Sequence, residues 1–162
     1  MSIVLIGFMG VGKTTIGNLL SEHYDKSLVD IDTYIVETTQ LPIPQIFEKY
    51  GEKHFRDLEY EALKKWIDQD VIISTGGGIV ESELSKELLK QNDNTFWLKC
   101  DVEILFNRIN HDNNRPNANG KSLNELKALY SKRELSYNEI AFKHIDANRP
   151  REVVASEIIE SL

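Results

Sequence analysis

The chain of 162 residues has a single cysteine, Cys100, so no disulfide can form within it, and a reducing compartment is expected. Long apolar runs are also missing: none approaches the roughly 20 residues a membrane span needs. Positive charge is in deficit, with 19 Lys and Arg against 26 Asp and Glu, a formal net charge of −7. No basic stripe offsets that balance, which argues against a nucleic-acid-binding surface. An anionic ligand would have to be held by local arginines and not by the overall field. No charged leader precedes the first apolar run at Ile3. Together these features predict a cytoplasmic protein without membrane or nucleic-acid partners. His23, His54, His111 and His144 are scattered, and none pairs with another at metal-ligand spacing. Repeats, low-complexity tracts and linkers are absent, and no long heptad run argues for an oligomer, so a monomer is expected.

What is present is ordinary for a globular protein: 41% apolar and 28% charged residues. The length suits one domain with a real core. Its organising stretch is Ser2 to Leu20. Ile3-Val4-Leu5-Ile6 is β-branched, apolar and too short for a helix, so it reads as a buried strand. Gly7 to Thr14 then matches the P-loop spacing GxxxxGK[ST], and Ile16, Leu19 and Leu20 continue as an amphipathic helix. Glycines let the backbone curl and bring its N–H groups against a phosphate, while the helix N-terminus points its positive end at the same anion. In that setting Gly10, Val11, Gly12, Lys13, Thr14 and Thr15 are the candidate phosphate-binding residues. Lys13 supplies a point charge to the β- and γ-phosphates, and the Thr14 hydroxyl is a ligand for Mg²⁺.

Further along, Ser27 to Asp32 reads as a second strand, followed by a polar helix from about Thr33 to Thr39 that Pro42 and Pro44 stop. A short helix from Ile46 to Tyr50 should end at Gly51. Phe55, Leu58, Ala62 and Trp66 recur at helical spacing between Glu52 and Asp68. Val71 to Thr75 is a third strand, ended by Gly76-Gly77-Gly78. Glu83 to Lys90 is a helix with Leu84, Leu88 and Leu89 inward, and Thr95 to Lys99 is a fourth strand. A helix carrying Ile104, Leu105 and Ile109 follows. His111 to Lys121 is too polar to pack and is a candidate lid. Ser122 to Glu139 is a long helix, Phe142 to Ile145 a fifth strand, and Pro150 to Leu162 a closing helix. Strands alternating with helices give an α/β fold with a mostly parallel sheet, in which ligands bind beyond the C-terminal strand ends.

Several polar constellations gather at that edge. Asp30 and Asp32, two apart on an extended segment, would point the same way with α-carbons roughly 7 Å apart. One carboxylate could then hold a metal-bound water and the other an acceptor hydroxyl. The blander alternative is that Asp32 caps the next helix. Arg56 and Glu59 are neighbours on a helix, so Glu59 can fix the guanidinium. Arg133 falls in line with Leu126, Tyr130 and Tyr137, and a charge in an apolar stripe must be paired or must snorkel. Paired arginines suit a carboxylate; an internal salt bridge is the competing account. Arg115, followed by Pro116 in the polar loop, could swing over a transferring phosphoryl group.

In that ordered combination the sequence resembles the shikimate kinases over nearly its whole length. The matching elements are GFMGVGKTT, Asp30-Ile31-Asp32, Phe55-Arg56-Asp57-Leu58-Glu59, Gly76 to Gly78, Arg115-Pro116, and Arg133 before Tyr137. The resemblance implies a nucleoside monophosphate kinase-like P-loop fold, with a five-stranded parallel sheet in order 2-3-1-4-5. It implies substrate-binding helices at about 32–62 and a mobile lid at about 111–122 within one domain, 1–162. The implied activity is transfer of the γ-phosphate of ATP to the 3-hydroxyl of shikimate, with Mg²⁺, on the route to chorismate and the aromatic amino acids. Lys13, Asp32 and Arg115 would be catalytic. Asp32, Arg56, Gly76, Gly77, Gly78 and Arg133 would hold shikimate, while Thr14, and Asp30 through water, would serve the metal. Arg108, Arg149 and Pro150 match positions near the nucleotide base. Two departures show: Asn117 and Ala118 follow the lid Arg-Pro where leucines are common, and Pro150 stands where the family often has a second arginine. The runner-up is another small-molecule kinase of this fold, such as a gluconate kinase, which has no need of the paired arginines. A non-catalytic guanine-nucleotide switch would need an NKxD segment, and none is present.

Overall fold

The computed structural model describes residues 1–109 and 122–162. The candidate lid at 111–121, with Arg115, Pro116, Asn117 and Ala118, lies outside the described residues.

Five strands form one parallel sheet in the order β2-β3-β1-β4-β5. β1 (Ile3–Ile6) is central and wholly buried. Val4 lies opposite Ile73 of β3 (Ile72–Ser74) on one side and Thr95 of β4 (Thr95–Lys99) on the other. β2 (Leu28–Asp30) and β5 (Lys143–Asp146) are the edges. A strand buried on both faces needs apolar residues at successive positions, which is why Ile3-Val4-Leu5-Ile6 shows no alternation. The helices in chain order are α1 (Lys13–Tyr24), α2 (Ile31–Thr39), α3 (Ile43–Trp66), α4 (Glu83–Lys90), α5 (Val102–Ile109), α6 (Leu123–Ile140) and α7 (Arg151–Ser161). A turn of 3₁₀ helix, Ile79–Glu81, follows the glycine triplet. α1 packs on α7, and α6 on α4 and α5.

Two expectations need correction, and a third holds in a modified form. The second strand is shorter than expected: it stops at Asp30, and Asp32 sits in the first turn of α2. Asp30, not Asp32, is the cap, accepting a hydrogen bond from the Thr33 N–H at 3.0 Å. The two carboxylates therefore do not share the face of an extended segment. A helix needs its orphan N–H groups satisfied, and Asp30 supplies an acceptor as soon as the strand ends. Leu84 is 57% exposed, whereas Leu89 is buried; Ser85 takes the inward place expected of Leu84. Finally, α3 runs through Gly51 as one element, but Gly51 has φ 86° and ψ 169°, so the rod breaks there into two helices. Only glycine takes that conformation without strain, and the stop read from the sequence is real.

Candidate active site

The loop after β1 curls back at residues 7–12 and delivers the chain into α1. Gly12 is the N-cap of α1 at φ 100°, a left-handed conformation that suits glycine. Gly10, Gly12, Lys13, Thr14 and Thr15 line a cavity of about 440 Å³. Val11 is only 1% exposed, its side chain given to the core. The Lys13 ammonium donates to the Gly7 and Phe8 carbonyls at 2.6 and 3.0 Å, which holds it inside the curve of the loop.

Across the same cavity the Thr14 hydroxyl donates to Asp30 Oδ2 at 2.8 Å and lies 3.3 Å from Ser74 Oγ. Asp30 and Ser74 are register partners on β2 and β3, so the sheet itself sets this group. Mg²⁺ usually keeps several waters and takes one or two protein oxygens plus phosphates, so a hydroxyl and a carboxylate one hydrogen bond apart fit it. Ser74 was not singled out in the sequence; nothing in a strand-end serine announces its neighbours.

The other half of the site is built around the glycine triplet. A Cβ on Gly76 would lie 3.1 Å from both Asp32 Oδ1 and Glu59 Oε2, so the two carboxylates meet over the same side of this glycine. One on Gly78 would lie 2.6 Å from Arg56 Nη1, so a side chain there would have to displace the guanidinium from its place beside Glu59. Tyr137 donates its hydroxyl to the Gly77 carbonyl. Close approach, and not unusual backbone angles, is what these positions require: none of the three has positive φ.

Arg56 and Glu59 form a buried pair at 2.8 Å, with side chains 9% and 1% exposed, and Glu52 adds a second contact to Arg56 at 3.2 Å. Burial pushes the Glu59 carboxyl up to about 7, although the Arg56 charge and hydrogen bond pull it down; Asp32 adds repulsion and Arg133 attraction. Burial works against the Arg56 charge, but the Glu59 and Glu52 carboxylates outweigh it and raise its pKa. Arg133 is 2% exposed, with Glu81 at 3.7 Å and the Phe8 ring of the P-loop 5.9 Å from its guanidinium carbon. Leu126, Tyr130, Arg133 and Tyr137 are all buried, as their spacing predicted. Arg56 Nε, Glu59 Oε2 and Arg133 Nε are buried without hydrogen-bond partners among the described residues. Three such atoms in one cluster mark it as polar and incompletely satisfied by the protein.

The structure thus places Asp32, Gly76 and Gly77 on the wall of the P-loop cavity. Arg56 faces a neighbouring open cavity of about 500 Å³ with Glu81 and Lys132, on the Gly78 side of the triplet. Arg108 joins the P-loop cavity and donates to the Gly10 carbonyl at 3.3 Å. Arg149 turns elsewhere, to Glu157 at 2.9 Å and to the Asp146 carbonyl, and Pro150 is the N-cap of α7. Arg151 lines the cavity instead, and Glu81 partners Arg133; neither was read from the sequence.

A parallel sheet in this order, with a phosphate loop after its central strand, defines the class: a P-loop kinase fold. The shikimate kinase profile matches residues 9–162. A shikimate kinase of Staphylococcus aureus (strain MSSA476) is 50% identical over 146 residues, 90% of this chain and 84% of that protein. The structure of shikimate kinase from Acinetobacter baumannii in complex with shikimate superposes with a TM-score of 0.93 at 33% identity, covering 99% of this chain and 91% of that one. That of the Aquifex aeolicus enzyme gives 0.87 at 37% identity, covering 99% and 95%. The chain belongs to the shikimate kinase family.

Proposed function

We infer that this chain transfers the γ-phosphate of ATP to the 3-hydroxyl of shikimate, yielding shikimate 3-phosphate and ADP. The observation that carries the reading is the junction at Gly76: Asp32 lines the phosphate cavity, and over the same glycine comes Glu59, which grips Arg56 and feels the charge of Arg133. A donor cradle and an acid-binding cluster therefore meet at one carboxylate.

In this account the P-loop N–H groups and Lys13 hold the β- and γ-phosphates. Thr14, and Asp30 through water, would hold Mg²⁺, which when bound would neutralise charge on the phosphate oxygens. Arg56 and Arg133 take the acceptor carboxylate, for which the planar fork of a guanidinium is suited. Gly76 to Gly78 let the sugar-like ring lie close. Asp32 accepts a hydrogen bond from the acceptor hydroxyl and orients its oxygen toward the γ-phosphorus. The new O–P bond forms as the bond from phosphorus to the β–γ bridging oxygen breaks, and the hydroxyl proton leaves toward Asp32. Arg115 is assigned to the moving charge by resemblance alone, as are the base contacts of Arg108, Arg149 and Pro150. We assign the activity to a cytoplasmic monomer acting on ATP and shikimate, in a single domain with its substrate-binding helices and lid.

Coupled ADP release with shikimate and with gluconate tests the reading. Turnover is expected with shikimate alone; release without acceptor, or preference for gluconate, would overturn it.

A further inference from the structure

We propose that Arg151 is a nucleotide-binding residue of this enzyme, its guanidinium contacting a phosphate oxygen of ATP at the P-loop. The proposal rests on the reading of the cavity as the ATP site.

Arg151 opens α7, which packs against α1, the helix that the P-loop feeds. Its guanidinium lies over the backbone of Gly12: a Cβ there would fall 2.6 Å from Nε and 3.2 Å from Cζ. Gly12 is therefore constrained twice, by its left-handed φ of 100° and by this arginine. Arg108 reaches the same loop from α5, through the Gly10 carbonyl, so the loop has an arginine on each flank. Both line the cavity that also holds Lys13 and Thr14.

What the Arg151 side chain lacks is as informative. Its Nε is buried without a hydrogen-bond partner, and no carboxylate pairs with it among the described residues. Arg149, two positions earlier, is by contrast paired with Glu157 and Asp146. Arg151 also stands in the first turn of its helix, where the macrodipole disfavours a cation. The helix end works against a cation there, and no described carboxylate forms an ion pair with it. An anion held on the P-loop would supply that counter-charge, through charge-assisted hydrogen bonds from the guanidinium that lines the cavity.

The test is calorimetric titration of the full chain with MgADP and with Mg-bound inorganic triphosphate, for wild type, Arg151→Ala and Arg151→Lys. Steady-state ATP and shikimate KM values are measured on the same preparations. Arg151→Ala should weaken ADP and triphosphate binding and raise the ATP KM by about tenfold or more, the scale of a lost hydrogen bond to a charged group, leaving the shikimate KM unchanged. Arg151→Lys should recover part of the loss, since it restores charge but not the fork. Unchanged ADP affinity in Arg151→Ala, whatever its melting temperature, would overturn the proposal. A loss confined to ADP and absent with triphosphate would move the contact to the base and overturn the phosphate assignment. Should wild type fail to turn over shikimate, the reaction reading falls, yet the ADP titration still decides Arg151.

Discussion

The two halves of the site are made in different ways. The phosphate half is a contiguous stretch, Gly7 to Thr15, whose groups are mostly backbone N–H and carbonyl, set by one strand and one helix. The half assigned to the acceptor is drawn from α2, α3, the glycine triplet and α6, and its groups are ionisable side chains that hold one another in place. A cradle of backbone is insensitive to most substitutions but rigid in what it binds. A cluster of buried charges can be aimed at one acceptor, at the cost of desolvating every member. Asp32 is where they touch, since it lines the cavity and meets Glu59 over Gly76.

The largest expected effect comes from cutting that junction. Asp32→Asn should lower kcat by about a hundredfold or more, the scale of a lost general base or orienting group, with a smaller change in either KM. Wild-type kcat in this variant would remove Asp32 from the reaction and leave the two halves unconnected.

The buried pair in the acceptor half sharpens the contrast through stability. Glu59→Ala leaves Arg56 buried beside only the half-exposed Glu52, and breaking such a pair costs about 3–5 kcal/mol. For a chain of this size that lowers Tm by about 10 °C, read by calorimetry. A shift of a degree or two would mean the cluster is a solvated surface network.

A smaller effect should appear in the pH dependence. The folded Glu59 carboxyl is raised from an ordinary 4.5 to about 7, so the folded chain keeps a proton that the unfolded chain has released between those values. Its contribution to stability therefore falls as pH rises through that window. In the other direction, as pH falls through about 7, Arg56 loses the nearer of its two counter-charges and keeps only Glu52, and the shikimate KM should shift a few-fold. Glu59→Gln should flatten that inflection while leaving the ATP KM profile as it was. An inflection that persists in Glu59→Gln belongs to another group.

The same division explains what could be read from the sequence. The P-loop was legible because its chemistry is local and its spacing is set by the backbone. The sheet order came through resemblance; periodicity supplied only the alternation of strands and helices. Arg133 was legible because a charge in the stripe Leu126, Tyr130, Tyr137 is out of place. Its partner Glu81 was not, being 52 positions away with no pattern to link them. The extended Asp30–Asp32 pairing failed because apolar Ile31 looks the same in a strand end as in a helix start, and Asp30 caps immediately. Arg151 was not legible, because its place over Gly12 depends on the packing of α7 against α1, which is a tertiary fact.

The most direct test of the division is the pair of Michaelis constants in Arg133→Ala, measured by coupled ADP release. The account predicts a shikimate KM raised about tenfold or more, from the lost charge-assisted contact, with the ATP KM unchanged. A raised ATP KM with an unaltered shikimate KM would contradict it, because Arg133 would then belong to the phosphate half.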